Sequence, residues 1–276
     1  MNSKENKIGI TLLTSNIWAD VFGNPVEGRD SALAALIVRY DPDIIMLQEA
    51  HPNWHRSEVL KKCLADRGYA VSRPDLNGNP LNYTPLIYRS CRFREDKALF
   101  KLFEGPNDYD SKSVSGSRLT DNASGISFAA MSTHFYFAQN EEGNIARRSN
   151  ARELIECFDA LCSSGIAGFC GGDFNCDIDS EPFADLNDAD IRCASTVAQI
   201  RTNFFRTHHK NPVYDAEKKE YIPAIPSAED NRKSIDHIVF RGRGVKICSY
   251  TVIRDKEALI LSDHCPVLIR AEIQRG

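Results

Sequence analysis

Short clusters of polar and ionisable residues recur at the ends of apolar runs: Ser15-Asn16-Ile17-Trp18, Leu47-Gln48-Glu49, Ser132-Thr133-His134, Gly171-Gly172-Asp173-Phe174-Asn175, Ser234-Ile235-Asp236-His237 and Ser262-Asp263-His264. One such cluster carries little weight, because every strand must end and polar residues cap it. Their recurrence points to side chains gathered from several strand ends onto one cleft. The residue types also form a chemical set. Glu49, Asp173, Asp236 and Asp263 are carboxylates, and Asn16 and Asn175 carry amide oxygens. Such hard oxygen donors suit Mg²⁺ or Mn²⁺ better than zinc. His134 and His264 add imidazoles that can titrate near neutrality. A carboxylate beside His264 would hold its tautomer and raise its basicity, as in hydrolytic Asp–His pairs. The combination fits metal-assisted attack of water on a phosphate ester.

Strands and helices must deliver these residues. Residues 8–18 and 43–48 read as strands, and apolar positions within 28–40 recur at helical spacing between them. Strand, helix, strand over so short a span is an α/β unit. A second helix is expected over 53–67, stopped by Gly68. Strands are expected at 86–88, 98–103 and 126–137, with 104–125, rich in Gly, Ser, Asp and Asn, as a loop or irregular hairpin. The clearest helix spans 145–163, where Ala151, Leu154, Ile155, Phe158, Leu161 and Cys162 follow the three-four pattern. A strand over 166–172, a short helix over 181–186, a long loop over 202–233 and strands at 235–240, 245–252 and 264–273 complete the reading. No repeat or linker divides the chain, which favours one α/β domain over residues 1–276.

Composition narrows the partners. The 276 residues are 42% hydrophobic, enough to build a core without metals or disulfides, and carry a net charge of −4. That balance argues against coating nucleic acid by bulk positive charge, while leaving room for a local basic groove. No apolar run reaches the ~18–20 residues needed to cross a bilayer, and no secretory signal leads the chain, so stable membrane insertion is not expected and a cytoplasmic location is. The nine cysteines include no C-x-x-C pair, so they read as reduced, buried small hydrophobes.

Other signals are weaker. His51 and His55 lie four apart but lack the Glu of a zinc-binding helix. Residues 201–210 mix basic and aromatic side chains and suit either base stacking or a partly exposed strand. Arg241-Gly-Arg-Gly244 looks like a hairpin turn. Arg147, Arg148 and Arg152 fall on the polar face of the long helix, from which Arg152 could reach a cleft. G-x-S-x-G and P-loop patterns are absent, which weakens serine esterase and NTPase readings.

In order and wording, S-N-I-W at 15–18, L-Q-E at 47–49, S-T-H-F at 132–135, G-D-F-N at 172–175, S-I-D-H-I at 234–238 and S-D-H-C-P-V at 262–267 resemble the endonuclease/exonuclease/phosphatase superfamily, the DNase I-like fold. The resemblance spans almost the whole chain. It implies a four-layer sandwich of two mixed β-sheets flanked by helices, with the active site at one rim. By the same resemblance Glu49 would be the principal metal ligand, with Asn16 and Asp263 nearby. Asp173 and Asn175 would orient or activate the attacking water. His264 would act as general acid or base or stabilise transition-state charge, with Asp236 as its partner. His134 would bond a non-bridging phosphate oxygen. Two departures stand out: Trp18 occupies a position where some related nucleases carry an acid, and Lys112 stands where relatives often place an arginine, offering a point charge without bidentate geometry.

The expected activity is that of a Mg²⁺- or Mn²⁺-dependent phosphoester hydrolase, with a nucleic acid or small phosphodiester ranked ahead of a lipid or inositol headgroup as substrate. The rival from another class is a catalytically silent binding domain. Every expected catalytic position carries a competent side chain, which weighs against it.

Overall fold

The computed structural model describes residues 6–21, 23–162, 165–202, 206–223 and 234–275. In chain order the strands are β1 (Lys7–Asn16), β2 (Ile44–Gln48), β3 (Tyr69–Val71), β4 (Leu86–Arg89), β5 (Phe93–Leu102), β6 (Ser113–Asp121), β7 (Ser127–His134), β8 (Ala167–Asp173), β9 (Arg192–Cys193), β10 (Ile200–Arg201), β11 (Val213–Asp215), β12 (Glu220–Ile222), β13 (Asp236–Arg241), β14 (Val245–Val252) and β15 (Val267–Gln274). The helices are α1 (Arg29–Tyr40), α2 (Pro52–Arg56), α3 (Glu58–Asp66), α4 (Glu141–Leu161), α5 (Glu181–Asp188), α6 (Ala194–Val197) and α7 (Lys256–Leu261). One sheet has the order β10-β14-β15-β1-β2-β4-β3 and a second the order β5-β6-β7-β8-β13-β9, while β11 and β12 pair as a separate hairpin. Both large sheets are mixed: β1 and β2 run parallel, as do β7 and β8, among antiparallel neighbours.

Successive strand side chains point to opposite faces, and this period of two divides the core into three layers. Ile8, Ile10 and Leu12 of β1, Ile44 and Met46 of β2 and Phe169 of β8 pack between the sheets. The alternate residues Leu13, Ile45 and Leu47 pack outward with Leu33, Leu36 and Ile37 of α1, Leu60 of α3 and Leu261 of α7. On the far side Met131 and Cys170 meet Leu154 and Phe158 of α4 and Phe183 of α5. Helix, sheet, sheet and helix are thus the four layers the motifs implied.

Register decides what gathers at one rim. Parallel pairing sets Asn16 opposite Gln48 and His134 opposite Asp173, and antiparallel pairing sets Asp236 opposite Asp173. Thr14 pairs with Val267, so residues 262–264 arrive beside the end of β1. The carboxyl ends of parallel strands commonly form such crevices. Beneath the rim, Gln48 Nε2 donates to Ser132 Oγ (3.0 Å), and Ser132 Oγ donates to Leu47 O (2.7 Å), tying sheet to sheet.

The structure corrects several expectations. The stretch 104–125 holds β6, a central strand. Its small polar residues hid it, yet Ser113, Ser115 and Ser117 are fully buried: Ser115 donates to Thr84 O, and the hydroxyls of Ser117 and Ser72 are 2.7 Å apart. The helix expected over 53–67 breaks at Ser57, whose hydroxyl caps α3 by accepting from Leu60 N (3.1 Å). The strand expected at 126–137 stops at His134. Gly242 and Gly244 do not turn a hairpin, because β13 and β14 belong to different sheets. The long loop contains the β11–β12 hairpin, and its residues 203–205 and 224–233 lie outside the described residues. The short helix α7 carried no sequence signal. All nine cysteines are free and six are buried. No helix among the described residues is long and apolar enough to cross a membrane.

The sheets approach each other closely at Gly171, where an added Cβ would lie 2.6 Å from Met46 Cε and 2.7 Å from Thr14 Cβ of the facing sheet. Met46 can swing aside, but Thr14 is fixed by its strand. Gly171→Ala is expected to cost about 1–3 kcal/mol, the usual range for overpacking, in urea unfolding. Gly9→Ala, where an added methyl meets nothing within 4 Å, should stay within about 0.5 kcal/mol.

Candidate active site

The polar clusters close β1, β2, β7 and β8, open β13 and lead into β15, and the backbone just past three of these strands is unusual. Trp18, Glu49 and Asn175 follow β1, β2 and β8 with φ of 56°, 61° and 51°. A left-handed conformation is costly for such side chains and persists where surrounding bonds over-determine it. Those bonds are present. Asn16 Oδ1 accepts from Trp18 N (3.0 Å), Glu49 Oε2 from Ala19 N (2.7 Å) and Asp173 Oδ1 from Asn175 N (2.9 Å).

The side chains then meet across the seam. Asn16 Nδ2 donates to Glu49 Oε1 and to Asp173 Oδ2, both at 3.0 Å. His134 Nε2 lies 3.5 Å from Asp173 Oδ2, and Lys112 Nζ lies 3.2 Å from His134 Nε2. On the other flank His264 Nδ1 donates to Asp236 Oδ2 (2.8 Å) and turns Nε2 toward Asp173 Oδ2 and Asp263 Oδ1, each 3.9 Å away. Asn175 reaches away from this group, donating from Nδ2 to Phe135 O (3.0 Å), so it fixes the neighbouring loop. One continuous set of contacts therefore runs from Glu49 through Asn16 and Asp173 to His134, Lys112 and the His264–Asp236 pair.

The sequence was compared with known proteins. The Endonuclease/Exonuclease/phosphatase family profile matches residues 13–264, which span every one of these clusters. The chain belongs to the Endonuclease/Exonuclease/phosphatase family. No curated protein gives a significant match. Similar solved structures include an endonuclease/exonuclease/phosphatase from Bacteroides vulgatus (21% identity, covering 97% of this chain and 100% of that one, TM-score 0.74). They also include the mannosyl-6-phosphatase Bt3783 of Bacteroides thetaiotaomicron (18%, 95% and 99%, 0.73) and D. rerio TDP2 with a single-strand DNA product (14%, 95% and 98%, 0.67). At these identities the likeness concerns the fold, which is that of the Endonuclease/Exonuclease/phosphatase family.

Within this family frame the electrostatics are lopsided. Burial raises the Asp173 carboxyl to about 6, helped by the Asp236 charge and opposed by His264. Burial alone would lower His264, but Asp236, Asp263 and Asp173 outweigh it and hold the imidazolium well above 6.5. Burial would likewise raise Asp263, yet His264 and His208 bring it down to about 2. His134 is pushed well below 6.5, first by burial and then by the Lys112 ammonium. At neutral pH His264 is thus charged and His134 neutral.

One expectation changes and another gains a setting. Lys112, expected to offer a point charge to phosphate, is buried beside His134, with Asp108 Oδ1 3.4 Å away. Arg152 is exposed on α4, where its charge acts on Asp185, and it makes no contact with the cluster. Two residues received no individual role from the sequence, His208 being noticed only within the stretch 201–210. His208 lies 3.6 Å from Asp263 Oδ2, with its ring 4.8 Å from that of His264. Arg29, at the start of α1, is fully buried and donates to the carbonyls of Ile17 (2.8 Å), Trp18 (2.7 Å), Asn24 (2.8 Å), Pro25 (3.0 Å) and Leu261 (3.2 Å). Its guanidinium also faces the rings of Trp18, Trp54 and Tyr221. Its only sequence cue was a cation opening an amphipathic helix.

Asp173 gives a pH prediction. Its folded carboxyl is raised to about 6 from 3.8, so the folded chain binds the extra proton between those values. Ionised Asp173 therefore opposes folding, with no penalty below pH 3.8 and the full penalty above about 6. Urea unfolding in chelator should show Asp173→Asn gaining on the wild type as pH rises through this window. A difference that is flat or falls with pH would contradict the burial of a strained charge.

Proposed function

We propose that the protein is a divalent-cation-dependent phosphoesterase that hydrolyses a phosphodiester of a nucleic acid or nucleotide by metal- and His264-assisted attack of water. The observation that carries this reading is the continuous cluster from Glu49 to Lys112 and His264, in which acids, a charged imidazole, a neutral imidazole and a buried ammonium face one another across the seam. The D. rerio TDP2 structure with a DNA product supports the nucleic-acid branch by analogy of fold. Bt3783, a mannosyl-6-phosphatase by name, makes the monoester the comparison substrate.

The residues fit a hard divalent ion. Glu49, Asp173, Asp236 and Asp263 converge here, while the cations within the cluster, among the described residues, are Lys112, His264 and, when protonated, His208. Arg29 is turned to backbone carbonyls behind them. Asp236 Oδ1 is also buried with no hydrogen-bond partner among the described residues. Such an excess of buried negative charge favours a bound cation. Glu49, Asn16 and Asp263 would hold Mg²⁺ or Mn²⁺, whose charge would stabilise phosphoryl oxygens and make a nearby water more acidic.

The chain's own groups divide the remaining work. Asp236 fixes the His264 tautomer, so Nε2 presents a proton to a phosphate oxygen or to the departing oxygen. Asp173, raised to about 6 and ionised at neutral pH, accepts a proton from the attacking water. Asn16 positions Asp173 from the facing sheet. Lys112 and neutral His134 bind non-bridging oxygens, and Asn175 holds the loop beside them.

His264→Ala and Glu49→Gln are each expected to lower turnover of an aryl phosphodiester by about 10²–10⁴-fold while keeping the circular dichroism of the wild type. Activity should require Mg²⁺ or Mn²⁺ and vanish in chelator. Wild-type rates in both variants would refute the assignment, and faster hydrolysis of an aryl phosphomonoester would make the enzyme a phosphatase. Metal binding has its own readout: at 100 times its Kd the ion adds about 2.7 kcal/mol, a Tm rise of about 5–10 °C, which Glu49→Gln should abolish.

A further inference from the structure

His208, Asp263 and His264 form a second donor set whose chemistry differs from that of the oxygen cluster. Their ligand atoms all lie within 4.8 Å of one another. His208 Nε2 is 3.6 Å from Asp263 Oδ2, and His264 Nε2 is 3.9 Å from Asp263 Oδ1, so one carboxylate sits between two imidazoles. In a tetrahedral zinc site with bonds near 2.0–2.2 Å, neighbouring donors stand about 3.3–3.6 Å apart. Small rotations of these side chains would reach that spacing.

The surroundings resemble those of a built metal site. His264 already gives its Nδ1 proton to Asp236 at 2.8 Å, leaving Nε2 to face the other donors. This carboxylate–histidine arrangement is the usual outer support of a metal-bound imidazole. His208 is placed by backbone rather than by chance: it forms a bridge with His264, His209 N donates to Asp263 O (2.7 Å), and Cys265 N donates to Thr207 O (2.6 Å). The His208 side chain is 29% exposed, which gives an ion a way in. Two nitrogens and a carboxylate suit borderline transition metals, whereas Mg²⁺ prefers oxygen alone.

We propose that His208, Asp263 and His264 bind a transition-metal cation of the Zn²⁺ class, and that this binding inhibits the enzyme. Coordination at His264 Nε2 displaces its proton to solvent, so the imidazole no longer donates to the phosphate. The ion also shares Asp263 with the hard-cation set. The inhibitory half rests on the function proposed above; the binding half does not.

The test uses the full chain with exposed Cys91 replaced by Ser, in excess Mg²⁺. Co²⁺ serves as a coloured probe and Zn²⁺ as its competitor in titration calorimetry. One Co²⁺ should bind without thiolate charge-transfer bands and be displaced by Zn²⁺. His208→Ala should weaken binding by at least the roughly 10–100-fold that losing even an outer-shell partner costs. His208→Cys should restore binding and add a Co²⁺–thiolate band, which separates ligand loss from misfolding. Glu49→Gln, which removes the Mg²⁺ competing for Asp263, should leave the Co²⁺ affinity undiminished. Failure to bind, an unaltered affinity in His208→Ala, or equal loss in Glu49→Gln would each overturn the site. Zn²⁺ should slow phosphodiester turnover, and His208→Ala, measured against its own zinc-free rate, should be relieved of that effect. Inhibition that persists in His208→Ala would overturn the regulatory half, and absence of all turnover would count against the proposed function while the titration still reads the site.

Discussion

Asn16 reaches from one sheet to Asp173 on the other while also holding Glu49, so one buried amide separates two carboxylates that would otherwise repel across the seam. Both donor hydrogens of its amide are used, and its oxygen accepts from Trp18 N. A shift of β1 by one residue would turn this amide to the opposite face and leave both acids without their shared donor. The parallel β1–β2 pairing and the Gln48–Ser132 tie between sheets fix that register. The close approach at Gly171 has the same consequence, because it lets the two rims lie near enough for a side chain as short as asparagine to span them.

Arg29 imposes a second constraint. Three of its acceptors lie where the chain approaches the site: Ile17 and Trp18 follow Asn16, and Leu261 precedes Ser262-Asp263-His264. A buried guanidinium that hydrogen-bonds no carboxylate among the described residues is expensive to desolvate, and burial does lower its affinity for its proton. Five carbonyls and three aromatic faces offset that cost. The left-handed Trp18 fits the same logic, since its carbonyl is one of the acceptors and its ring one of the faces. The stabilisation that this hub gains from packing is spent on holding strained loops in place.

Strand ends were legible because an apolar run that meets a polar cluster is a local pattern, and Glu49, Asp173, Asp236 and Asp263 were found that way. The layer order followed from the alternation of strands and helices and from the resemblance of the motifs. Elements with no local signature stayed hidden. β6 is built of serines whose hydroxyls are satisfied by Thr84 and Ser72, tens of residues away, so its burial depends on partners that periodicity does not reveal. Ser57 breaks one expected helix into two because its hydroxyl both caps α3 and donates to Asp30 of α1 (2.7 Å). Arg29 and His208 look like ordinary surface residues until the fold surrounds the first with carbonyls and sets the second against Asp263. Lys112 shows the reverse: its residue type was noticed, but its burial came only from β6.

Net charge says little about such a site. The chain carries −4 overall, and its rim concentrates further carboxylates where an anionic ester would have to approach. What makes the rim usable is that burial and neighbours act differently on each group. Asp236, Asp263 and Asp173 hold a proton on His264, while the same neighbourhood raises Asp173 only to about 6. At neutral pH one group therefore carries a proton it can give and the other lacks one it can take, 3.9 Å apart. Environments that set two titrating groups into opposite states divide acid from base without a change of residue type. Burial, reinforced by the Lys112 ammonium, keeps the His134 imidazole neutral, so one rim presents two histidines in opposite charge states. That opposition depends on how deeply the seam buries these groups, which returns the chemistry to the packing of the two sheets.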